Sequence, residues 1–337
     1  MSTAPASLRH SRDTITPALR AAVDRRDHRS RHQAAYHFGW ITAGGAPTSA
    51  DAGKAVRPAL ALLSAEAVGA PPEVALPGAV AVELVHNFSL VHDDLMDGDE
   101  ERRHRRTVWK LWGPSSAILT GDAMLALAQE VLLDTGSPTA APAARLLART
   151  TRHLIRGQVQ DLTFEQRGRV TVEECVDMAA GKTGALMSAS AAIGAVLAGS
   201  PETTVDALAL YGDHLGIAFQ LVDDVLGIWG DPAVTGKPVH SDLRSRKKSL
   251  PVSHALNQDG PLSGELADWL ATSGEPDEEE LRRVAGLIEG AGGRDWALAE
   301  AARRMTLAEE ALSGVGLDAG ARGELLALGR FVVDRKV

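Results

Sequence analysis

Residues 73–97 read EVALPGAVAVELVHNFSLVHDDLMD, a long apolar run that closes on three carboxylates. Its length and apolar content, with no alternation of period two, predict a helix from Glu73 to Asp97. Phe88, Leu90 and Val91 carry that helix through a core and leave its acidic end at a cavity mouth. Asp93 and Asp97 are one turn apart, ~6 Å along the axis, so they share a face. Two ionised carboxylates there repel one another unless a cation sits between them. Mg2+ characteristically combines a few carboxylates with phosphate oxygens and water. The plainer alternative is a solvated acidic helix end, which the macrodipole disfavours at a C-terminus. On this stretch alone the two readings stand level.

Outward from it, apolar periodicity predicts helices over Lys54–Val68, Ser115–Leu133, Ala143–Phe164, Val172–Leu197 and Thr203–Gly230. Pro58 falls in the first turn of its helix, where a missing N–H is tolerated. Gly, Pro and charge mark loops at Thr42–Gly53, Gly98–Arg106 and Gly230–Lys248. No alternating strand pattern and no solenoid repeat stands out. The fold class is all-α: a flexible segment over 1–30, then a single domain over 31–337.

A second acidic pair, Asp223-Asp224, again ends a long apolar helix and again precedes a loop. Two such pairs arise by accident far less readily than one. A helical bundle can bring them around a central cavity, where divalent ions would let them bind a polyanion. Basic residues complete the balance. Arg102 and Arg103 follow the first motif, Lys54 and Arg57 open an earlier helix, and Lys237, Arg246, Lys247 and Lys248 follow the second motif. Singly, each is most simply a solvated charge. Lys182 differs, because an unpaired lysine in the small-residue run around Gly181-Lys182-Thr183-Gly184 would be costly to bury. That Gly-Lys-Thr is no P-loop: it lacks the first glycine and a preceding strand.

Composition narrows the class. A net charge of −9 argues against a nucleic-acid binder. No uninterrupted apolar run approaches the length needed to span a bilayer, so no stable membrane insertion is expected. The single cysteine, Cys175, excludes an intramolecular disulfide and reads as an inert core residue. The N-terminus is Arg-rich to Arg31 but has no apolar h-region, and Asp13, Asp24 and Asp27 weaken a transit-peptide reading. A cytoplasmic protein is expected.

The chain resembles the trans-isoprenyl diphosphate synthase (polyprenyl synthetase) family, in particular actinobacterial geranylgeranyl-type members. The resemblance runs from about Ala35 to the C-terminus. It is carried by Gly53-Lys54-x-x-Arg57-Pro58, His86, the first acidic motif with Arg102-Arg103, Gly157-Gln158-x-x-Asp161 and Lys182-Thr183-Gly184. Gln220-x-x-Asp223-Asp224, Thr235-Gly236-Lys237-Pro238 and Lys247-Lys248-Ser249-Leu250-Pro251 continue it. It implies an isoprenoid synthase-type helical bundle around a deep cavity, usually a homodimer, that condenses isopentenyl diphosphate with allylic diphosphates. It also implies Mg2+ on Asp93, Asp94 and Asp97, and further Mg2+ on Asp223 and Asp224. Arg102, Lys182 and Lys237 would grip the allylic diphosphate; Lys54, Arg57, His86 and Arg103 would hold isopentenyl diphosphate. Thr183 and Gln220 would line the reacting groups, Lys247 would contact substrate, and Asp161 would give polar support.

Three departures stand out. Gly227 replaces the third carboxylate of a full second motif, the nearest others being Asp231 and Asp242 in the following loop. His104 and Arg106 stand where many members have Gly and Pro, and His240 replaces a common Gly. Phe88 and Ser89, five and four positions before Asp93, fall where the family sets chain length. One aromatic there implies geranylgeranyl diphosphate as main product, with farnesyl diphosphate second. Two rivals share the fold, a class I terpene cyclase and a non-catalytic subunit of a heteromeric synthase. The isopentenyl-binding residues count against the first, and both intact acidic pairs count against the second.

Overall fold

A computed structural model describes residues 5–48, 53–231 and 239–334, and it is all-α as expected. The chain forms two compact units. One takes residues 1–151, 189–209 and 315–328; the other takes 152–188, 210–314 and 329–337.

The first unit contains α1 (Ala6–Asp24), α2 (His28–His37), α3 (Val56–Ala67), α4 (Leu76–Met96), α5 (Val108–Trp112) and α6 (Pro114–Leu133). Asp27 starts α2 by accepting hydrogen bonds from the N–H groups of Arg29 and Ser30. Leu8, Ile15, Leu19 and Val23, at helical spacing along α1, are all buried, so α1 packs into the core. Pro17 lies inside α1 without ending it. α4 starts three residues after the expected Glu73 because Pro72–Ala75 forms a 3-10 turn. Its apolar positions, including Val80, Val82, Leu84, Val85 and Val91, are buried.

Three stretches, Pro72–Met96, Pro114–Leu133 and Val172–Leu197, are long and apolar enough to cross a membrane by length and composition. This corrects the expectation that none would be. In the first and third, 72% of the apolar window is buried inside the protein, so core packing accounts for it; in Pro114–Leu133 only 44% is.

The helices α7 (Ala140–Glu165), α8 (Val172–Ala179), α9 (Ala185–Leu197) and α10 (Glu202–Trp229) follow, then α11 (Ser241–Arg244), α12 (Leu250–Leu256), α13 (Pro261–Ala271), α14 (Glu278–Gly290), α15 (Gly293–Ala311) and α16 (Ala319–Val333). Thr171 and Glu174 cap α8 reciprocally, each side chain accepting from the other's N–H. Between α8 and α9 the helix widens into a π turn over Ala180–Gly184, a geometry that often marks functional positions. The core of the second unit gathers Cys175, Met178, Leu221, Val225, Leu250 and Ala297. The Cys175 thiol lies 2.9 Å from Ser253 Oγ, and burial pushes it up to about 12, which makes it inert as expected.

Candidate active site

In the first unit, α4 sorts its acids by direction. Asp93 is half-buried, and Asp97, whose N–H donates to Asp93 O as the helix ends, is exposed. Asp94 was expected beside them, but it turns inward and is 1% exposed. Its Oδ1 accepts from Arg102 Nε at 2.6 Å. Burial raises its carboxyl to about 6 against the pull of Arg102. The helix period explains the split: adjacent residues lie ~100° apart, so one faces out and the next faces the core.

The loop after α4 is a small antiparallel hairpin, Glu101–Arg102 paired with Arg105–Arg106, in a chain expected to have no strand. Its turn places Arg103 and His104 at φ of 51° and 59°. This is the mirror-image turn that hairpins favour, at some steric cost for side chains other than Gly, Asn and Asp. Arg105 holds the hairpin down by donating to the carbonyls of Tyr36 and Ile41.

The turn delivers Arg103 to the start of α3. A Cβ built on Gly53 would lie 2.7 Å from Arg103 Nη2, so the guanidinium crosses where a side chain would be. Gly53 also has φ of +90°, a second reason for glycine. Its carbonyl accepts from Arg12 of α1 at 2.5 Å. Lys54 follows directly and is exposed. Arg57 Nη1 lies 3.4 Å from His86 Nε2. Burial lowers the Arg57 guanidinium to about 10; burial and the Arg57, Arg103 and Arg102 charges lower His86 well below its usual value. Arg57, His86 and Arg103 thus meet in one cationic corner at the start of α3, and Lys54 is the exposed residue that follows Gly53 there.

Beneath that corner is a polar network that sequence reading missed. Asn87 Nδ2 donates to Glu83 Oε1 at 2.9 Å, and His37 Nε2 lies 3.1 Å from Asn87 Oδ1. Glu83 is buried; burial raises its pKa, while Asn87, Arg57 and Arg103 oppose the rise. The available signal was two polar residues one turn apart in an otherwise apolar helix. Burial and the neighbouring arginines lower His37 from 6.5 to about 3. The unfolded chain therefore takes up a proton near pH 6.5 that the fold refuses until about pH 3. The stability from this group is full above the higher value and lost as pH falls toward the lower. The expected result is a urea midpoint that declines from about pH 7 to about pH 5; a flat midpoint there goes against a neutral His37.

In the second unit, Lys182 projects from the π turn and donates to Asp161 Oδ2 of α7 at 2.5 Å. Burial would raise Asp161, but Lys247 and Lys182 together hold it below the usual carboxylate range. The approach depends on Gly157, one turn before Asp161: a Cβ there would lie 2.2 Å from Lys182 N. Next to Lys182, Thr183 Oγ1 donates to Gln220 Oε1 at 2.7 Å, and Gln220 Nε2 donates to Asp224 Oδ1 at 2.7 Å. Asp224 Oδ2 accepts the Leu250 N–H that opens α12. Asp224, like Asp94, was expected to bind metal but is buried, at 3% exposure, and burial raises it to about 7. Asp223 is exposed. Lys237 lies outside the described residues.

Within each unit the outward aspartates, Asp93 and Asp97 in the first and Asp223 in the second, offer hard oxygen donors of the kind Mg2+ takes. Among the described residues, no group of three or more His, Cys, Asp or Glu forms a ready-made cage.

The polyprenyl synthetase profile matches residues 40–288. A (2E,6E)-farnesyl diphosphate synthase of Mycobacterium tuberculosis H37Rv is 54% identical over 327 residues, covering 96% of this chain and 91% of its own. A geranylgeranyl diphosphate synthase of the same strain is 40% identical over 332 residues, covering 98% and 94%. The crystal structure of a polyprenyl synthetase from Streptomyces coelicolor A3(2) matches with a TM-score of 0.94 at 57% identity, covering 97% and 99%.

Proposed function

The chain belongs to the polyprenyl synthetase family of trans-prenyltransferases, and from that premise we propose that it condenses isopentenyl diphosphate with allylic diphosphates, in the presence of Mg2+, to a short-chain prenyl diphosphate. The observation that carries this reading is the cationic corner of Lys54, Arg57, His86 and Arg103. A terpene cyclase has no second diphosphate to hold and no use for it.

In this reading Asp93, Asp97 and Asp223 hold Mg2+, which neutralises charge on the allylic diphosphate when bound. Arg102, held in place by Asp94, and Lys182, held by Asp161, grip the same diphosphate together with Lys237. They stabilise the charge it gains as the allylic C–O bond breaks. The cationic corner holds isopentenyl diphosphate so that its double bond meets the allylic cation. Thr183 and Gln220, already hydrogen-bonded to one another, line the reacting groups. The departing diphosphate takes the final proton.

Product length is argued from two sides. Likeness to the farnesyl diphosphate synthase at 54% identity favours farnesyl diphosphate. Small Ser89 beside Phe88 favours geranylgeranyl diphosphate. We take a mixture of the two, with farnesyl leading. Phe88 is buried and meets His92 edge-on at 5.0 Å, so it is well placed to close a cavity floor. Phe88→Ala is expected to lengthen the products, read by chromatography of the dephosphorylated alcohols. An unchanged distribution would put the floor elsewhere.

Exposed Ile118, Leu119 and Leu133 support a homodimer, and likeness to the polyprenyl synthetases supports a soluble, cytoplasmic enzyme. Incubation of the purified protein with isopentenyl diphosphate and each allylic primer tests the whole reading. Elongated diphosphates are expected. Hydrocarbon products would point to a cyclase, and no product to a non-catalytic subunit.

A further inference from the structure

The two acidic motifs differ in one respect. Asp93-Asp94-Leu95-Met96-Asp97 has a carboxylate at each end of a helical turn, whereas Asp223-Asp224-Val225-Leu226-Gly227 has one only at its start. Otherwise they match: the second aspartate of each is buried, at 1% and 3% exposure, and the first is not. The comparison leaves position 227 as the place where a carboxylate is missing.

The structure fills that place from another element. A Cβ built on Gly227 would lie 2.4 Å from Asp242 Oδ2, 2.5 Å from its Cγ and 2.7 Å from its Oδ1. The Asp242 carboxylate therefore occupies the volume that a side chain at 227 would need. Asp242 stands at the start of α11, and its surroundings fix it there. Ser241 Oγ donates to Gly227 O at 3.3 Å and lies 3.4 Å from Asp242 Oδ1. Asp242 O accepts from Lys247 N at 2.9 Å. The carboxylate thus sits against α10 one turn beyond Asp223, the same offset that separates Asp97 from Asp93. The three atoms nearest to that Cβ all belong to one carboxylate group.

We propose that Asp242 is the second carboxylate of the Asp223 cluster, supplying to Mg2+-diphosphate what residue 227 lacks, and that Gly227 is glycine because Asp242 needs its space. This rests on the Mg2+-dependent reading above. Asp223 and Asp242 then share the work that Asp93 and Asp97 share in the first motif.

Calorimetric titration with inorganic diphosphate, with and without Mg2+, tests it on the full-length protein. Asp242→Asn keeps the shape and removes the charge. It is expected to weaken Mg2+-dependent diphosphate binding by about 10–100-fold, the usual cost of losing a supporting carboxylate, and to leave Mg2+-free binding unchanged. Gly227→Asp alone is expected to weaken it too, because the two side chains collide. Gly227→Asp combined with Asp242→Ala returns a carboxylate to the same place and is expected to recover most of the loss. Undiminished Mg2+-dependent binding by Asp242→Asn overturns the proposal, since that variant preserves packing. So does a combined variant with unchanged circular dichroism and melting that binds no better than Asp242→Ala. Asp223→Ala separates the two levels of inference. If it loses Mg2+-dependent binding while Asp242→Asn keeps it, only the role of Asp242 fails. If the unaltered protein shows no Mg2+ dependence, the reading beneath fails with it.

Discussion

Asp93→Asn is expected to lower turnover by about two to three orders of magnitude, the range seen when one preorganised stabilising group is removed, and to leave the helical circular dichroism unchanged. Asp93 lies at the outward end of α4 and is half-buried, so an isosteric amide there costs the fold little. Its loss falls on the step in which negative charge builds on the leaving diphosphate. Such a defect lowers kcat and kcat/KM together. A rise in KM at unchanged kcat would instead mean that Asp93 contributes only to ground-state binding. Near-normal turnover with metal still bound would remove Asp93 from the chemistry.

Gly157→Ala is expected to destabilise the protein by about 3 kcal/mol, the upper end for overpacking a core. Helix propensity alone predicts the opposite, a gain of about 1 kcal/mol for alanine in a helix interior, so the sign decides which effect governs the site. Packing should win, because the new methyl would meet Lys182 N at 2.2 Å and Gly181 C at 2.8 Å. These are backbone atoms and cannot swing aside. Relief would require the π turn to move off α7 and carry Lys182 away from Asp161. Turnover should fall as well, even at temperatures where the variant is folded. A melting temperature at or above that of the unaltered protein would show that the two helices adjust without cost.

The helices were legible because their apolar residues recur with helical period over long stretches. The expected span Thr203–Gly230 became Glu202–Trp229, and Ser115–Leu133 became Pro114–Leu133. In α1 the arginines and other charged residues dilute the apolar positions, so the period is hard to read in its first half. The hairpin was missed because two-residue strands have no period to detect, and Arg103-His104 lacks the usual Asn-Gly turn signal. At the site, spacing showed that Asp93 and Asp97 share a face. It did not show that Asp94 and Asp224 face inward, because that depends on which side of each helix the core lies. The partnership of Gly227 with Asp242 joins positions far apart in sequence and became visible only as two groups competing for one volume.

The inward Asp224 carries a consequence for inheritance. Its carboxylate holds Gln220 on one side and the opening N–H of α12 on the other, so it is an architectural residue inside the most chemical segment of the chain. Its replacement by alanine would strand both partners, and the deficit would be one of folded population. A cell carrying that allele would show a conditional phenotype, tolerable in the cold and failing with warmth as less enzyme survives quality control. An allele at the neighbouring Asp223 would fail at every temperature with the protein present in full amount. Adjacent letters of one motif would then fall into different genetic classes.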